Sequence, residues 1–253
     1  KKYHRIIIMS IWGKIIGGTA GFALGGPLGA IIGMMIGGSF DRSARKFSSS
    51  NQISQQQKKN VFALCIIVLS AKIAKADGQV TKEEIYTFKE KFNIQSEEMS
   101  EVSKIFNEAK KSSFGFKNIA DQVGNLFSDN KVLLEQLLNN LFYIAEADGL
   151  TSSNEVEVLR SISQSFHFNE TDFQRIFHSR LNNKESDPYK ILGVTREDSD
   201  NNIRKKWIEL SKEHHPDYLI AKGMPKEFIK EANKELSSIN LAYDKIKELR
   251  DFN

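Results

Sequence analysis

Asp200-Asn201-Asn202-Ile203-Arg204-Lys205-Lys206-Trp207-Ile208-Glu209-Leu210-Ser211-Lys212-Glu213, followed by His214-His215-Pro216-Asp217, is the stretch on which the fold turns. Ile203, Trp207 and Leu210 are spaced four and three apart, which puts them on one face of a helix. Arg204, Lys205 and Lys212 fall elsewhere on that helix. A residue preceding proline is driven out of the helical region, so the helix ends at the histidines. Upstream, Asp187-Pro188-Tyr189-Lys190-Ile191-Leu192-Gly193-Val194 reads as a short helix with proline in its first turn and glycine just past its end. Downstream, Phe228, Ala232, Leu236, Ile239, Tyr243, Ile246 and Leu249 keep helical spacing over a long segment. Residues 187–253 therefore predict two antiparallel helices joined by a His-Pro-Asp loop and braced by a short first helix. Tyr189, Trp207 and Tyr243 are the aromatic part of their small core.

Residues 179–186 before this hairpin are polar and read as a linker. The middle of the chain, residues 58–178, carries a duplication. Ile73-Ala74-Lys75-Ala76-Asp77-Gly78 is echoed by Ile144-Ala145-Glu146-Ala147-Asp148-Gly149. In each copy the Asp-Gly ends one helix, and a capping box then opens the next: Thr81 with Glu84, and Ser152 with Glu155. Phe92 and Ile94 find counterparts in Phe166 and Phe168. Val61 to Ala71 is almost wholly apolar but too short to span a bilayer, so it reads as a buried helix. Two such copies facing each other predict an antiparallel helical bundle. No useful strand-like alternation appears, and the expected class is all-α.

The first 40 residues form a third region. From Ile15 to Phe40 no residue is charged, and a bilayer asks for about 20 apolar residues. Gly13, Gly17, Gly21, Gly25, Gly29, Gly33 and Gly37 recur every fourth residue, making one helical face on which a second helix can approach closely. In water each such glycine would cost a helix about 1 kcal/mol relative to alanine. In lipid the backbone has no competing solvent. The region is expected to be a membrane anchor, with Pro27 kinking it or dividing it into a helical hairpin, and its glycine face pairing protomers into a homodimer. Residues 41–57, rich in Ser, Gln and Asn, read as a linker. With Met9 as the start, Arg42, Arg45 and Lys46 would hold the following domains in the cytoplasm.

The 253 residues are 40% hydrophobic and 27% charged, enough to bury a core. The one cysteine, Cys65, can form neither an internal disulfide nor a thiolate metal site, which suits a reducing compartment. The net charge of +4 does not call for nucleic acid, and basic and acidic side chains balance over residues 187–253. With no glycine-rich phosphate loop, reactive cysteine or second ligand cluster, the chain is read as neither an enzyme nor the holder of a cofactor.

Two resemblances give these regions a meaning. The duplicated A-x-A-D-G pattern resembles the TerB-like domain of tellurite-resistance proteins, where acidic residues near the turns are suspected of holding a divalent cation. That points to Asp77, Glu84, Asp148 and Glu155. The spacing is not that of an EF-hand, and turn support at helix ends is the plainer role, so no metal is expected. D-P-Y-x-I-L-G-V, the helix with Ile203, Trp207 and Leu210, H-P-D and I-N-x-A-Y occur in the order of the J domain, the module that binds DnaK-type heat-shock chaperones. His214 to Pro225 resembles in particular the membrane-anchored DnaJ-like (DjlA) family, which also joins a membrane segment, a TerB-like middle and a terminal J domain. This resemblance implies an inner-membrane co-chaperone of bacterial stress and protein folding, its soluble domains in the cytoplasm. It implies that Asp217 pairs with a basic group of the chaperone, Pro216 fixes the loop and His215 adds a polar contact. Arg204, Lys205 and Lys206 would face an acidic patch, steering encounter. The client of the bundle is unknown. Ile208 and Glu209 depart from a basic pair usual in the family, as do Glu213 and Tyr218 from common lysines. A scaffold whose J-like module no longer stimulates hydrolysis is the alternative.

Overall fold

The computed structural model describes residues 11–12, 29, 55–77, 88–90, 92, 94–112, 115–146, 152–180 and 186–251. No strand occurs among the described residues, and the protein is all-α.

Helix α1 (Gln55–Asp77) is the axis of the bundle. It is apolar all round from Val61 to Leu69, and every one of those residues is buried. A helix with no polar face must be covered on all sides. The cover comes from α2 (Ser96–Lys111), α3 (Phe116–Leu126), α4 (Lys131–Ala145) and α5 (Ser153–Ser165). Phe92, Ile94, Phe166 and Phe168, paired by the sequence repeat, all lie in this core. Cys65 is fully enclosed in α1, and burial pushes its thiol far above the usual range, so it is chemically quiet. Gly124 of α3 stands against the Ser165 carbonyl of α5, where even a Cβ would clash with backbone. The two helices approach that closely only because the side chain is missing.

The boundaries inside the repeat are met in part, since α4 closes at Ala145 with Glu146 as its C-cap, ahead of the expected end at Asp148-Gly149. Helix α1 ends at Asp77. Ser152 caps α5: its Oγ accepts from Glu155 N at 3.2 Å, while Ser152 N donates to Glu155 Oε2 at 2.7 Å. The matching Thr81–Glu84 box lies outside the described residues.

After α6 (Glu170–Arg180) the hairpin begins. Helix α7 (Pro188–Leu192) is capped by Asp187, whose side chain accepts from Tyr189 N at 3.1 Å. It is closed by Gly193 at φ +68°, a left-handed conformation that suits glycine. Helix α8 (Asp200–Glu213) and helix α10 (Ile229–Arg250) are the two arms. Between them, Tyr189, Ile191, Leu192, Ile203, Leu210, Ile239, Tyr243 and Ile246 form a second core. Trp207 stacks on Tyr243 with ring centroids 4.3 Å apart and donates Nε1–H to Asn240 Oδ1 at 2.8 Å. Leu249, placed on the core face by its spacing, is exposed. The end of α10 is instead held by Arg250, which donates to Tyr189 Oη at 2.9 Å and to the Asp198 carbonyl at 2.7 Å.

The segment between the arms is not a bare loop. It contains a short helix, α9 (Pro216–Lys222), closed by Gly223 at φ +109°, and a 3-10 turn at Lys226–Phe228. Leu219, Met224 and Phe228 from this segment, with Ala232 from the start of α10, are buried in the bundle core, not in that of the hairpin. Phe228 meets Phe62 at 5.1 Å, Phe92 at 4.9 Å and Trp12 at 5.7 Å between ring centroids. Trp12 also donates Nε1–H to the Phe92 carbonyl at 3.1 Å, and Ile11 N donates to Glu227 Oε1 at 2.9 Å. Helix α10 thus serves two cores, and the hairpin is docked on the bundle by the chain that follows its turn. Each large side chain so buried stabilises the docking by about 1.5–3 kcal/mol.

Candidate functional site

The turn from α8 to α9 places His215, Pro216 and Asp217 at one exposed corner. His215 is the N-cap of α9, and its Nδ1 accepts from Asp217 N at 3.3 Å. Pro216 fills the first helical position, where a missing N–H costs nothing and φ is already set. The Asp217 side chain is 90% exposed, with Oδ2 3.9 Å from His215 Nδ1. A carboxylate is thereby held out to solvent from a rigid, capped turn. On α8, Arg204 and Lys205 are exposed. Lys206, expected to join them, is half-buried and paired with Glu209 at 3.0 Å. Ile208, 48% exposed, gives the same helix an apolar spot.

One residue earlier, the chain faces the other way. His214 is completely buried between the two parts of the molecule. Its Nε2 lies 3.2 Å from Glu135 Oε1 of α4, and its Nδ1 3.3 Å from Glu235 Oε2 of α10. These are ion-pair contacts, not well-aligned hydrogen bonds, since Glu135 Oε1 and His214 Nε2 have no hydrogen-bond partner of good geometry. Arg175 of α6 pairs with Glu135 Oε2 at 2.5 Å, and Gln136 Nε2 donates to Glu235 Oε2 at 2.6 Å. Arg175 also lies under Gly193, where a Cβ would stand 3.1 Å from its Cδ. For His214, burial alone would lower the imidazole pKa, but Glu235 and Glu135 together raise it to about 10. For Glu135, burial pushes upward, and Arg175 with His214 more than offsets it, holding the carboxyl well below the usual range. Sequence reading did not single out this cluster. Its members lie far apart along the chain, and no linear motif joins them.

Glu135, His214 and Glu235 are close enough to be considered as metal ligands. The two carboxylates face different ring nitrogens. A protonated ring bridges both. Of the acidic residues named near the Asp-Gly turns, Glu155 is occupied as a helix cap. The Asp77 side chain, Glu84 and Asp148 lie outside the described residues. Gly29 is helical and buried, whereas Gly13, Gly17, Gly21, Gly25, Gly33 and Gly37 lie outside the described residues. No helix among the described residues is long and apolar enough to cross a membrane.

A braced helical hairpin with His-Pro-Asp at its exposed corner defines a J domain, the class of module carried by co-chaperones. Residues 187–249 match the DnaJ domain model, residues 63–178 that of the tellurite resistance protein TerB, and residues 9–57 that of the co-chaperone DjlA transmembrane domain. The chain is 30% identical to the co-chaperone protein DjlA of Coxiella burnetii, over 94% of this chain and 97% of that one. It is 27% identical to the DjlA of Photobacterium profundum, over 96% and 100%, and 25% identical to that of Legionella pneumophila, over 96% and 97%. No solved structure matches significantly. The chain belongs to the DjlA family of co-chaperones. The match at residues 9–57 points to a membrane-anchored protein.

Proposed function

We propose that the protein binds a DnaK-type chaperone through His215, Pro216 and Asp217 and stimulates its ATP hydrolysis at the cytoplasmic face of a bacterial inner membrane. The observation that carries this reading is the Asp217 carboxylate, 90% exposed on a turn fixed by Pro216 and by the His215 cap. A carboxylate presented in this way needs no reorganisation before it meets a basic group on a partner. Arg204 and Lys205 would add long-range steering, so the complex should be fast, weak and sensitive to salt. Lys206 contributes less, because Glu209 already neutralises it.

Single-turnover ATP hydrolysis by the chaperone tests this, with the wild-type chain against Asp217→Asn. Stimulation by the first and its loss in the second is the expected result. The pairing of Lys206 with Glu209 and the charge balance of residues 187–253 favour a second reading, a membrane scaffold with a silent J-like module. No stimulation by the wild-type chain would select it.

In this reading the uncharged run from Ile15 to Phe40 is the anchor, with Ile11 and Trp12 before it packed in the bundle core, residues 58–178 receive a client or regulator, and the glycine face joins two protomers within the lipid. Cross-linking in native membranes should capture a dimer that Gly21→Ile with Gly25→Ile abolishes. A dimer that survives both changes refutes the pairing.

A further inference from the structure

The His-Pro-Asp turn is clamped on both flanks by the bundle. Before it, His214 is the C-cap of α8, its N–H donating to the Leu210 carbonyl at 2.9 Å and its ring enclosed between Glu135 and Glu235. After it, Leu219 of α9 is buried in the bundle core, and Asn130, the N-cap of α4, donates Nδ2–H to the Lys222 carbonyl at 3.1 Å. The exposed residues between, His215 to Asp217, have little freedom that these two anchors do not set.

We propose that His214 is the positioning residue of the His-Pro-Asp turn, and that it holds the turn as an imidazolium only while the J domain is docked on Glu135 of the bundle. The inference rests on the reading that the turn stimulates a chaperone, and adds that the TerB-like bundle governs how well it does so.

Charge balance supports the protonated ring. Glu135 and Glu235 are both buried, and Arg175 supplies one compensating charge from α6. A neutral ring leaves a net negative charge in a dry interface, whereas an imidazolium closes the balance. The other charged groups around the ring do not disturb this. Glu213 on its own helix is half-buried and feels the ring only at a distance. Arg180 of α6 is paired with Glu146 at 2.7 Å, and Glu231 of α10 with Lys234 at 2.8 Å. Gln136 Nε2 and His214 Nδ1 are 3.0 Å apart, so with the ring protonated they are two donors that both turn to Glu235 Oε2, at 2.6 and 3.3 Å. If the hairpin lifts off the bundle, Glu135 and Gln136 of α4 leave together. His214 then loses one of its two carboxylates and the turn loses its footing at Leu219.

The test uses the full chain in lipid nanodiscs, with single-turnover hydrolysis by a DnaK-type chaperone measured from mildly acidic to mildly alkaline pH and normalised to the chaperone alone. Wild type should stimulate evenly across that range. His214→Gln should stimulate roughly tenfold less or worse, the scale that a displaced group costs, with no pH dependence. Glu135→Gln should match wild type at the acidic end and decline as pH rises through neutrality, because the ring with one carboxylate gives up its proton sooner. Histidine-ring ¹⁵N spectra should show both His214 nitrogens protonated at neutral pH in wild type, and the proton lost on the same profile in Glu135→Gln. A merely structural role would lower stimulation without shifting that profile. If His214→Gln fails to fold, the Glu135→Gln profile decides alone. Wild-type stimulation with both variants unchanged overturns the proposal and leaves the chaperone reading intact. A wild-type chain that does not stimulate at all removes both.

Discussion

At the scale of single residues, neighbours in sequence do opposite things. Asp217 is exposed and touches nothing that holds the fold, whereas His214 is sealed inside the interface. Their effects on stability should differ accordingly. The imidazole pKa of His214 is raised from 6.5 to about 10 in the folded protein. Its contribution to stability is therefore fully present below about pH 6.5 and is lost as pH rises towards about 10, because the folded state binds the proton that the unfolded chain releases. The limiting slope for one such group is about 1.4 kcal/mol per pH unit. Thermal melts of the full chain should fall over this window, and His214→Gln should melt lower with a flatter dependence. Parallel slopes in the two proteins would contradict the assignment. None of this was legible in the sequence. His-His-Pro-Asp marks a turn, but which histidine faces inward depends on Glu135 and Glu235, which only the fold brings near.

At the scale of elements, the sequence was informative wherever a local rule sets the boundary. Proline at the first turn and glycine after the last delimit α7, spacing of three and four delimits α8, and the Ser152–Glu155 box opens α5 as expected. Helix α9 was missed because its apolar side chains face the bundle: Leu219 has no partner in the hairpin that would complete a pattern. Leu249 was misplaced because Arg250, not a buried leucine, secures the end of α10. The cap and the close approach can be tested together. Ser152→Ala should cost about 1 kcal/mol in denaturant unfolding. Gly124→Ala should cost more, since the Ser165 carbonyl that it meets is backbone and cannot rotate away. A Gly124→Ala protein as stable as wild type would mean that α3 and α5 are farther apart than described.

For the whole molecule, the sequence suggested modules on linkers, and the structure joins two of them. Leu219, Met224, Phe228 and Ala232 belong to the hairpin by position and to the bundle by burial. A freed hairpin would expose that apolar surface and the charge of His214, so the bundle and the J domain should unfold in one calorimetric transition. Two separated transitions would show that the shared core does not couple them. This junction was illegible in sequence because each half carries a satisfactory repeat or motif of its own, and nothing local records that one completes the other. Family membership, in contrast, was legible from motifs in order. The role of the exposed turn is tested most directly by single-turnover ATP hydrolysis of a DnaK-type chaperone with the full chain at low salt. The wild-type chain should accelerate hydrolysis, and Asp217→Asn should abolish the acceleration without changing the melting temperature. Equal acceleration by both, or none by the wild type, would contradict it.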